Sequence, residues 1–263
     1  MSLGPQALTE AAGILIGARE AVEQIAALPA ECRPADVADG YAIADRVTEM
    51  LDYPVSGWKI GCTAIDQQRA LGVDEPFSGR LYAPLVQSSP AIYSGSAFAM
   101  RGIEVEFAFR FARDVPPRAT SYTVDEVADA VATLHPGIEI VCSRFQNWLQ
   151  IGVPNLTADN GVNGGFVFGP GDADWRGRNL AAHRATLTLD GKQIAEGIGE
   201  RVLGNPLNAL TWLANHLSVR KIGLKADDVV TTGTCLGIHF VEPGAELLAD
   251  FGDLGTVELR FTS

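Results

Sequence analysis

Residues 103–109 read Ile-Glu-Val-Glu-Phe-Ala-Phe, a run in which apolar and acidic side chains alternate. Side chains of a β-strand point to alternate faces, so Glu104 and Glu106 would share one face and the aromatic rings the other. The aromatic face is typical of a protein core. Two carboxylates on one face repel each other, and a divalent cation with hard oxygen ligands removes that cost. The segment therefore predicts a strand whose acidic face is either exposed to solvent or part of a metal site.

A third carboxylate lies in a similar setting. Residues 137–142 read Gly-Ile-Glu-Ile-Val-Cys, which predicts an apolar strand around Glu139. A glutamate between two isoleucines is costly to bury unless it is paired or bound to a metal. Glu139 is therefore interpreted either as an edge-strand residue that faces water or as a partner of Glu104 and Glu106.

A single cation, Lys59, stands in the sequence Gly-Trp-Lys-Ile-Gly at residues 57–61. The glycines allow close backbone approach, so a partly desolvated Lys59 could hold a carboxylate or act as a base. The alternative is a surface lysine whose stem covers apolar neighbours. Asp159, in an Asp-Asn-Gly sequence, and Thr234, in a Gly-Thr sequence, occur in turn-like segments that require no function. The histidines show no spacing typical of metal ligands.

The first 56 residues differ in pattern from the rest of the chain. Helical spacing of apolar residues predicts helices at 7–28 and 36–51, whereas short apolar runs and many glycines follow from residue 57. A capping box at Thr123 and Glu126 predicts a helix through Leu134, which the His-Pro-Gly sequence at 135–137 would end. The other predicted elements are strands at 101–112, 138–142, 165–168, 185–189, 229–232 and 256–261 and a helix from Asn205.

Strands and long helices do not alternate regularly along the chain. This pattern argues against a doubly wound sheet or a (β/α)₈ barrel. We therefore expect an α+β protein with a helical N-terminal part, residues 1–56, and a mixed-β catalytic body, residues 57–263. The two parts are expected to form one integrated unit.

Composition disfavours several classes of function. The net charge of −12 and the pI of about 4.7 argue against binding to nucleic acid or to an anionic membrane surface. No apolar run approaches the roughly 20 residues of a membrane-spanning helix, and the sequence shows no secretory signal. The four cysteines form no CxxC pair, and no phosphate-binding glycine motif occurs. We expect a cytoplasmic protein with reduced thiols and with no nucleic-acid or membrane partner.

Several strings of residues occur in an order and spacing that together are specific. They are Trp-Lys-Ile-Gly-Cys-Thr at 58–63, Ile-Glu-Val-Glu at 103–106, Ile-Glu-Ile-Val at 138–141, Ala-Asp-Asn at 158–160, Asn-Pro at 205–206, Leu-Lys-Ala-Asp-Asp-Val-Val at 224–230 and Ala-Asp-Phe-Gly-Asp-Leu-Gly at 249–255. Together they resemble the 2-keto-4-pentenoate hydratase family, within the fumarylacetoacetate hydrolase superfamily.

The resemblance implies a mixed β-sandwich or roll of the fumarylacetoacetate hydrolase type, preceded by a helical N-terminal part. It also implies a homo-oligomer and a site built from six side chains. These are Glu104, Glu106 and Glu139 as ligands of one Mg²⁺ or Mn²⁺, Lys59 as a catalytic and substrate-binding residue, Asp159 as a catalytic residue and Thr234 as a substrate-binding residue.

Two segments depart from the family pattern. Relatives usually carry an acidic residue after the Gly-x-Leu turn, but residues 79–85 read Gly-Arg-Leu-Tyr-Ala-Pro-Leu and leave none near Pro84. Relatives often have small residues and serines after the Asp-Asn pair, where residues 161–164 read Gly-Val-Asn-Gly. Both segments are expected near the substrate, so the metal end of the site looks retained and the substrate end altered.

The function implied is that of a lyase in aromatic catabolism. A hydratase would add water to a 2-hydroxy-2,4-dienoate and give a 4-hydroxy-2-oxo acid through an enolate that the metal stabilises as a Lewis acid. The same enolate chemistry would serve a 2-oxo acid decarboxylase of the 4-oxalocrotonate type. A carbon–carbon bond hydrolase ranks third, because no histidine stands where its general base is expected. A non-catalytic homologue that only binds a 2-oxo acid is the remaining alternative.

Overall fold

The computed structural model describes residues 2–263. Its helices are α1 (Pro5–Ala21), α2 (Val37–Leu51), α3 (Ile65–Leu71), α4 (Val124–Ala128), α5 (Val153–Ala158) and α6 (Pro206–Val219). Its strands are β1 (Val55–Gly61), β2 (Phe77–Tyr82), β3 (Val86–Ser88), β4 (Ala91–Ser94), β5 (Gly102–Phe111), β6 (Val131–Val141), β7 (Asn163–Phe168), β8 (Arg184–Leu189), β9 (Lys192–Ile198), β10 (Val229–Thr234), β11 (His239–Phe240), β12 (Glu246–Asp250) and β13 (Thr256–Thr262).

The strands form two mixed sheets that pack face to face. The larger sheet has the order β2-β1-β10-β5-β6-β7-β3, with β11 beside β5, and the smaller has the order β4-β13-β12-β8-β9. The aromatic face of β5 lies in the core between them, where the ring centroids of Phe107 and Phe251 are 5.1 Å apart. The expectation of an α+β mixed β-sandwich with a helical N-terminal part is confirmed.

The predicted helix through Leu134 is wrong beyond its first turns. The capping box forms, since Glu126 N–H donates to Thr123 Oγ1 and Thr123 N–H donates to the Glu126 carboxylate. The helix α4 nevertheless ends at Ala128, and β6 runs through the His-Pro-Gly sequence that was expected to separate two elements. Pairing with β5, which places Pro136 opposite Phe107 and Gly137 opposite Glu106, outweighs the local turn signal.

The predicted end of the first helix and the predicted turn at residues 79–81 are also wrong. The first helix ends at Ala21 rather than at residue 28, because Val22 takes a left-handed conformation with φ of 55°. The chain after it runs beside residues 143–146, where Ile25 N–H donates to the Arg144 carbonyl. Residues 79–81, interpreted as a turn, lie inside β2, which pairs with β1.

The N-terminal helices share a core with the rest of the chain. An apolar cluster joins Leu15 of α1, Ile43 and Val47 of α2, Ala158 of α5 and Phe145 of the loop after β6. The division of the chain at residue 56 stays a prediction. Among residues 2–263, none of the helices is long and apolar enough to cross a membrane.

Candidate metal centre

The pairing of β5 with β6 brings three glutamates together. Glu104 lies directly opposite Glu139 in the antiparallel ladder, and Glu106 follows on the same face, opposite Gly137. Each offers a carboxylate oxygen, and these oxygens lie within 4.8 Å of one another. Glu106 and Glu139 are fully buried and Glu104 is 8% exposed. Neither a solvated acidic face on β5 nor an edge position for Glu139 is therefore what the structure shows.

Burial and mutual repulsion dominate the electrostatics of this cluster. Burial, and then the charge of Glu139, raise the pKa of Glu104 to about 7. The same two causes raise the pKa of Glu106 well above its usual value. Glu106 Oε1 and Glu139 Oε2 accept no hydrogen bond from any residue in the range 2–263. A buried group of acceptor-only oxygens fits a hard divalent cation, which would neutralise their charge.

Lys59 of β1 is buried next to the carboxylates and does not reach the surface. It is 2% exposed, and its Nζ lies 3.3 Å from Glu139 Oε2 and donates to the carbonyl of Gly161 at 3.0 Å. Burial alone would lower the pKa of Lys59, but the charges of the three glutamates outweigh it and raise that pKa. The structure therefore excludes the surface-lysine alternative and places a charged ammonium group in the site.

A strained turn supplies the partner of Lys59. Asn160, Gly161 and Val162 have φ values of 54°, 62° and 59°, and a β-branched residue such as Val162 rarely adopts that region. A Cβ at Gly161 would lie 3.1 Å from Lys59 Cδ, so glycine allows the close approach of this backbone to the lysine. Strained backbone of this kind persists where the surrounding structure fixes it, often at functional sites.

Asp159 immediately precedes this turn, and Thr234 is the last residue of β10, where it pairs with Glu106 of β5. The Asp159 carboxylate pairs with the guanidinium of Arg144 and accepts from Ser143 Oγ at 3.1 Å. Thr234 Oγ1 closes a local turn, donating to the Gly237 carbonyl and accepting from its N–H, both at 2.9 Å. The polar atoms of both side chains thus have partners within the protein, and their catalytic and substrate-binding roles stay predictions.

Two polar contacts to the glutamates were not foreseen from the sequence. Gly233 N–H donates to Glu106 Oε2 at 2.6 Å, and Asn163 Nδ2 donates to Glu139 Oε1 at 2.9 Å. Gly233 has φ of 92° and packs closely on Thr63, which explains why glycine stands before Thr234. The signal for Asn163 was the unusual Gly-Val-Asn-Gly sequence after the Asp-Asn pair.

A cavity of about 140 Å³ opens beside the carboxylates. Its polar end carries Lys59, Glu104 and Gln67. We use the name apolar wall for the remaining hydrophobic side chains of the lining, which are Ala70, Leu71, Phe77, Val141, Trp148, Leu149, Val162 and Ile238. Among the described residues of this lining, Lys59 is the one cation and there is no histidine.

The first departure from the family pattern, near Pro84, lies elsewhere in the molecule. Pro84 lines a separate cavity of about 340 Å³ that contains Arg19 and Tyr53 and none of the three glutamates. The segment near Pro84 is therefore not part of the lining of the cavity beside the glutamates, and its effect on the substrate stays a prediction.

Comparisons with known proteins agree with this architecture. A family model described as Fumarylacetoacetate (FAA) hydrolase C-terminal matches residues 67–262. The chain is 32% identical over 262 residues to a 2-keto-4-pentenoate hydratase of Paraburkholderia xenovorans (strain LB400), covering 98% of this chain and 96% of that protein. It is 30% identical over 219 residues to a 2-hydroxyhexa-2,4-dienoate hydratase of Comamonas testosteroni, covering 82% of each.

A solved structure shares the whole fold. The 4-oxalocrotonate decarboxylase from Pseudomonas putida G7, complexed with magnesium and adipate, matches with a TM-score of 0.91 at 23% identity and 99% coverage of both chains. At that identity the match shows a common fold, while the matching family model and the relatives above carry the assignment. The chain therefore belongs to the 2-keto-4-pentenoate hydratase family of the fumarylacetoacetate hydrolase superfamily.

Proposed function

We propose that this protein is a hydro-lyase that hydrates a short 2-hydroxy-2,4-dienoate to a 4-hydroxy-2-oxo acid. With 2-hydroxypenta-2,4-dienoate, the 2-hydroxyl loses its proton and C5 gains one, which gives the conjugated ketone. The oxygen of water then adds to C4 and a proton arrives at C3. The observation that carries the proposal is the buried trio of glutamates with Lys59, beside a cavity whose lining is otherwise mostly the apolar wall.

Glu104, Glu106 and Glu139 would hold one divalent cation, Mg²⁺ or Mn²⁺. When bound, the cation supplies Lewis acidity to the 2-oxo acid end of the substrate. The donor set supports this assignment, since the three carboxylates are buried side by side and would carry a charge of −3 when all are ionised. Gly233 and Asn163 fix two of these carboxylates by hydrogen bonds to Glu106 and Glu139.

Lys59 would bind the substrate carboxylate. The neighbouring carboxylates raise its pKa, so it is a cation at neutral pH and donates hydrogen bonds rather than accepting a proton. Its ammonium group donates to the Gly161 carbonyl, which defines its position before a ligand enters. Lys59 is thus the residue of this chain that both neutralises an entering anion and holds a proton at Nζ.

Asp159 and Thr234 would act through their neighbours rather than on the substrate. Asp159 fixes Arg144 and, through the turn that follows it, the Gly161 carbonyl that accepts from Lys59. Thr234 closes the turn after β10, next to the Gly233 N–H that donates to Glu106. We propose both as positioning residues of the site.

The apolar wall separates hydration from decarboxylation of a diacid. A vinylogous 2-oxo diacid carries a second carboxylate at its far end, and burial of that charge against apolar side chains without a cation is costly. A dienoate with a hydrogen or alkyl group at the same end meets no such cost. The wall therefore supports the hydratase over a 4-oxalocrotonate-type decarboxylase.

The test is a turnover assay on metal-free protein to which Mg²⁺ or Mn²⁺ is added back. We expect 2-hydroxypenta-2,4-dienoate to lose its ultraviolet absorbance and to form 4-hydroxy-2-oxopentanoate, identified by proton NMR, only with metal. Release of CO₂ from 4-oxalocrotonate without hydration of the monoacid would assign the decarboxylase instead. Metal and oxalate binding without turnover of either acid would leave only the binding homologue.

The family resemblance also predicts a cytoplasmic homo-oligomer. Light scattering coupled to size-exclusion chromatography of the purified protein tests the assembly, with a multiple of 27.9 kDa expected. A mass of one chain at micromolar concentration would contradict it.

A further inference from the structure

Asn163, the first residue of β7, connects the metal centre to the N-terminal helix. It is fully buried, and its side chain donates from Nδ2 to Glu139 Oε1 at 2.9 Å. Its carbonyl accepts from the guanidinium of Arg19 in α1 at 3.0 Å and from that of Arg144 at 3.1 Å. One residue therefore contacts a carboxylate of the trio on one side and two cations on the other.

The two oxygens of Glu139 are treated differently by their surroundings. Oε1 receives the hydrogen bond from Asn163, while Oε2 lies 3.3 Å from Lys59 Nζ and accepts no hydrogen bond within the described part of the chain. A carboxylate held by one oxygen cannot rotate freely about its last torsion. The bond from Asn163 thus leaves Oε2 as the oxygen available to a ligand on the side of Lys59.

The orientation of the Asn163 amide is forced by this contact. Its Oδ1 is buried and has no donor among residues 2–263, which is an unfavourable state for an amide oxygen. Rotation of the amide by half a turn would bring that oxygen onto Glu139 Oε1, where two acceptors would repel each other. Asn163 Oδ1 therefore stays unpaired while Nδ2 donates to Glu139. This arrangement favours a fixed position of the Glu139 carboxylate over a complete set of hydrogen bonds for Asn163.

The backbone of Asn163 is fixed from outside the site. Arg144, which is 4% exposed, is itself paired with Asp159 and donates to the Asp159 carbonyl at 2.6 Å. Arg19 of α1 donates to the Asn163 carbonyl, so two successive hydrogen bonds connect the helical N-terminal part to Glu139. A residue of α1 therefore supports the first residue of β7.

We propose that Asn163 is a positioning residue that fixes Glu139 for binding of the divalent cation, with Arg19 and Arg144 as its supports. The inference rests on the proposed metal site, and it concerns a residue of this chain at a place where the sequence departs from the family pattern. Hydrogen-bond partners of metal ligands typically change metal affinity or activity by 10–100-fold when they are removed.

The experiment compares Mn²⁺ affinity of metal-free variants by titration, with the EPR spectrum of bound Mn²⁺ as a second readout. Asn163→Leu keeps the volume and removes the donor, and we expect it to weaken Mn²⁺ binding about 10–100-fold and to broaden the spectrum. The matched control is Asn155→Leu. Asn155 is also buried, donates to the Ile151 carbonyl at 2.8 Å and has an unpaired Oδ1, but it contacts none of the glutamates.

Equal Mn²⁺ affinity in wild-type protein and Asn163→Leu, or an equal loss in both asparagine variants, would overturn the inference. If Asn163→Leu does not fold, Arg19→Met replaces it. We expect Arg19→Met to weaken Mn²⁺ binding roughly threefold, since one of the two donors to the Asn163 carbonyl remains. Its control is Arg46→Met, at a more exposed arginine of α2 that pairs with Glu49. Unchanged affinity in Arg19→Met would likewise count against the proposal.

The outcome is separable from that of the proposed function. Wild-type protein that binds Mn²⁺ but hydrates no dienoate would contradict the hydratase and leave the role of Asn163 intact. A working hydratase whose Mn²⁺ affinity is indifferent to Asn163→Leu would contradict this inference alone.

Discussion

The two ends of the cavity are built in different ways. The metal end comes from adjacent residues of two paired strands, so the ladder of β5 and β6 sets the distances between the glutamates. The apolar wall comes from separate segments, including α3, the loop after β6 and residue 238, and one of its members, Leu149, is 59% exposed. A site with a rigid reacting end and a loosely built far end can keep one chemistry while its substrate preference changes.

The largest expected effect is the loss of the metal end. Glu106→Gln keeps the shape of the side chain but removes a full charge from the trio, so we expect kcat/KM for the dienoate to fall by roughly 10²–10³-fold or more. Thermal unfolding of the metal-free variant should be unchanged or shifted upwards, because a buried charge is gone. Turnover and Mn²⁺ titration measure the first effect, and circular dichroism the second.

The matched control for this variant is Glu258→Gln, an exposed glutamate of β13. It should leave activity and metal binding unchanged. If Glu106→Gln turned over substrate at the wild-type rate, the metal would not be held at the rigid end of the cavity.

The next effect is expected from Lys59→Met. The variant keeps the apolar stem and removes the ammonium group, so we expect a roughly 10²-fold loss in kcat/KM while the metal-loaded protein keeps its unfolding temperature within a few degrees. Steady-state kinetics with saturating Mg²⁺ and a thermal melt check it. Near-normal activity with a large loss of stability would mean that Lys59 is a structural cation of the core.

The sequence predicted the metal end of the cavity better than the apolar wall. Alternation over residues 103–109 identified both the core face and the acidic face of β5, because that pattern is local to one strand. The isolated Glu139 and Lys59 were found because charged residues in apolar strings are costly unless they are used. These residues lie in segments whose strand conformation the local sequence pattern predicts.

The remaining features depend on segments that are distant in sequence. Nothing local shows that β6 continues through Pro136 and Gly137, since pairing with β5 decides it. No local pattern shows that Asp159 pairs with Arg144 or that Thr234 bonds to Gly237. Asn163 and the apolar wall become visible only when β7, α3 and the loop after β6 come together.

A smaller effect is expected at the apolar wall. Leu149 lies at the exposed rim, so Leu149→Arg can place a cation near the far end of the substrate without burying it. We expect the ratio of kcat/KM for 2-hydroxyhexa-2,4-dienedioate over 2-hydroxyhexa-2,4-dienoate to rise by roughly 10-fold, the scale of one charge-assisted hydrogen bond. Competition assays on the two acids give this ratio directly.

Leu149→Gln is the control, since it is polar but carries no charge. It should lower activity on the monoacid slightly and leave the ratio within about twofold. An unchanged ratio in Leu149→Arg would mean that the far end of the substrate lies elsewhere, and the proposed contrast between the two ends would lose its second half.

The smallest expected effect is a pH dependence that belongs to the metal end alone. Burial and Glu139 raise the pKa of Glu104 to about 7 from an ordinary value of 4.5, so the folded metal-free protein binds this proton more tightly than the unfolded chain does. Tighter binding of this proton raises the free energy of unfolding. This contribution is complete below about pH 4.5 and is lost as the pH rises through about 7. Buried His216, whose pKa is lowered to about 4 by burial and by Arg220, acts in the opposite sense below pH 6.5.

A comparison of wild type with Glu104→Gln removes the contribution of His216, because the histidine is present in both. We expect the metal-free wild type to lose roughly 5 °C in Tm relative to the variant between pH 5 and pH 8. Bound Mg²⁺ should reverse the trend for the wild type, since the cation requires the deprotonated carboxylate and therefore stabilises the fold more at pH 8 than at pH 5. Parallel Tm curves for the two proteins without metal would show that Glu104 does not titrate in this range, and the repulsion that makes the metal end depend on a cation would be absent.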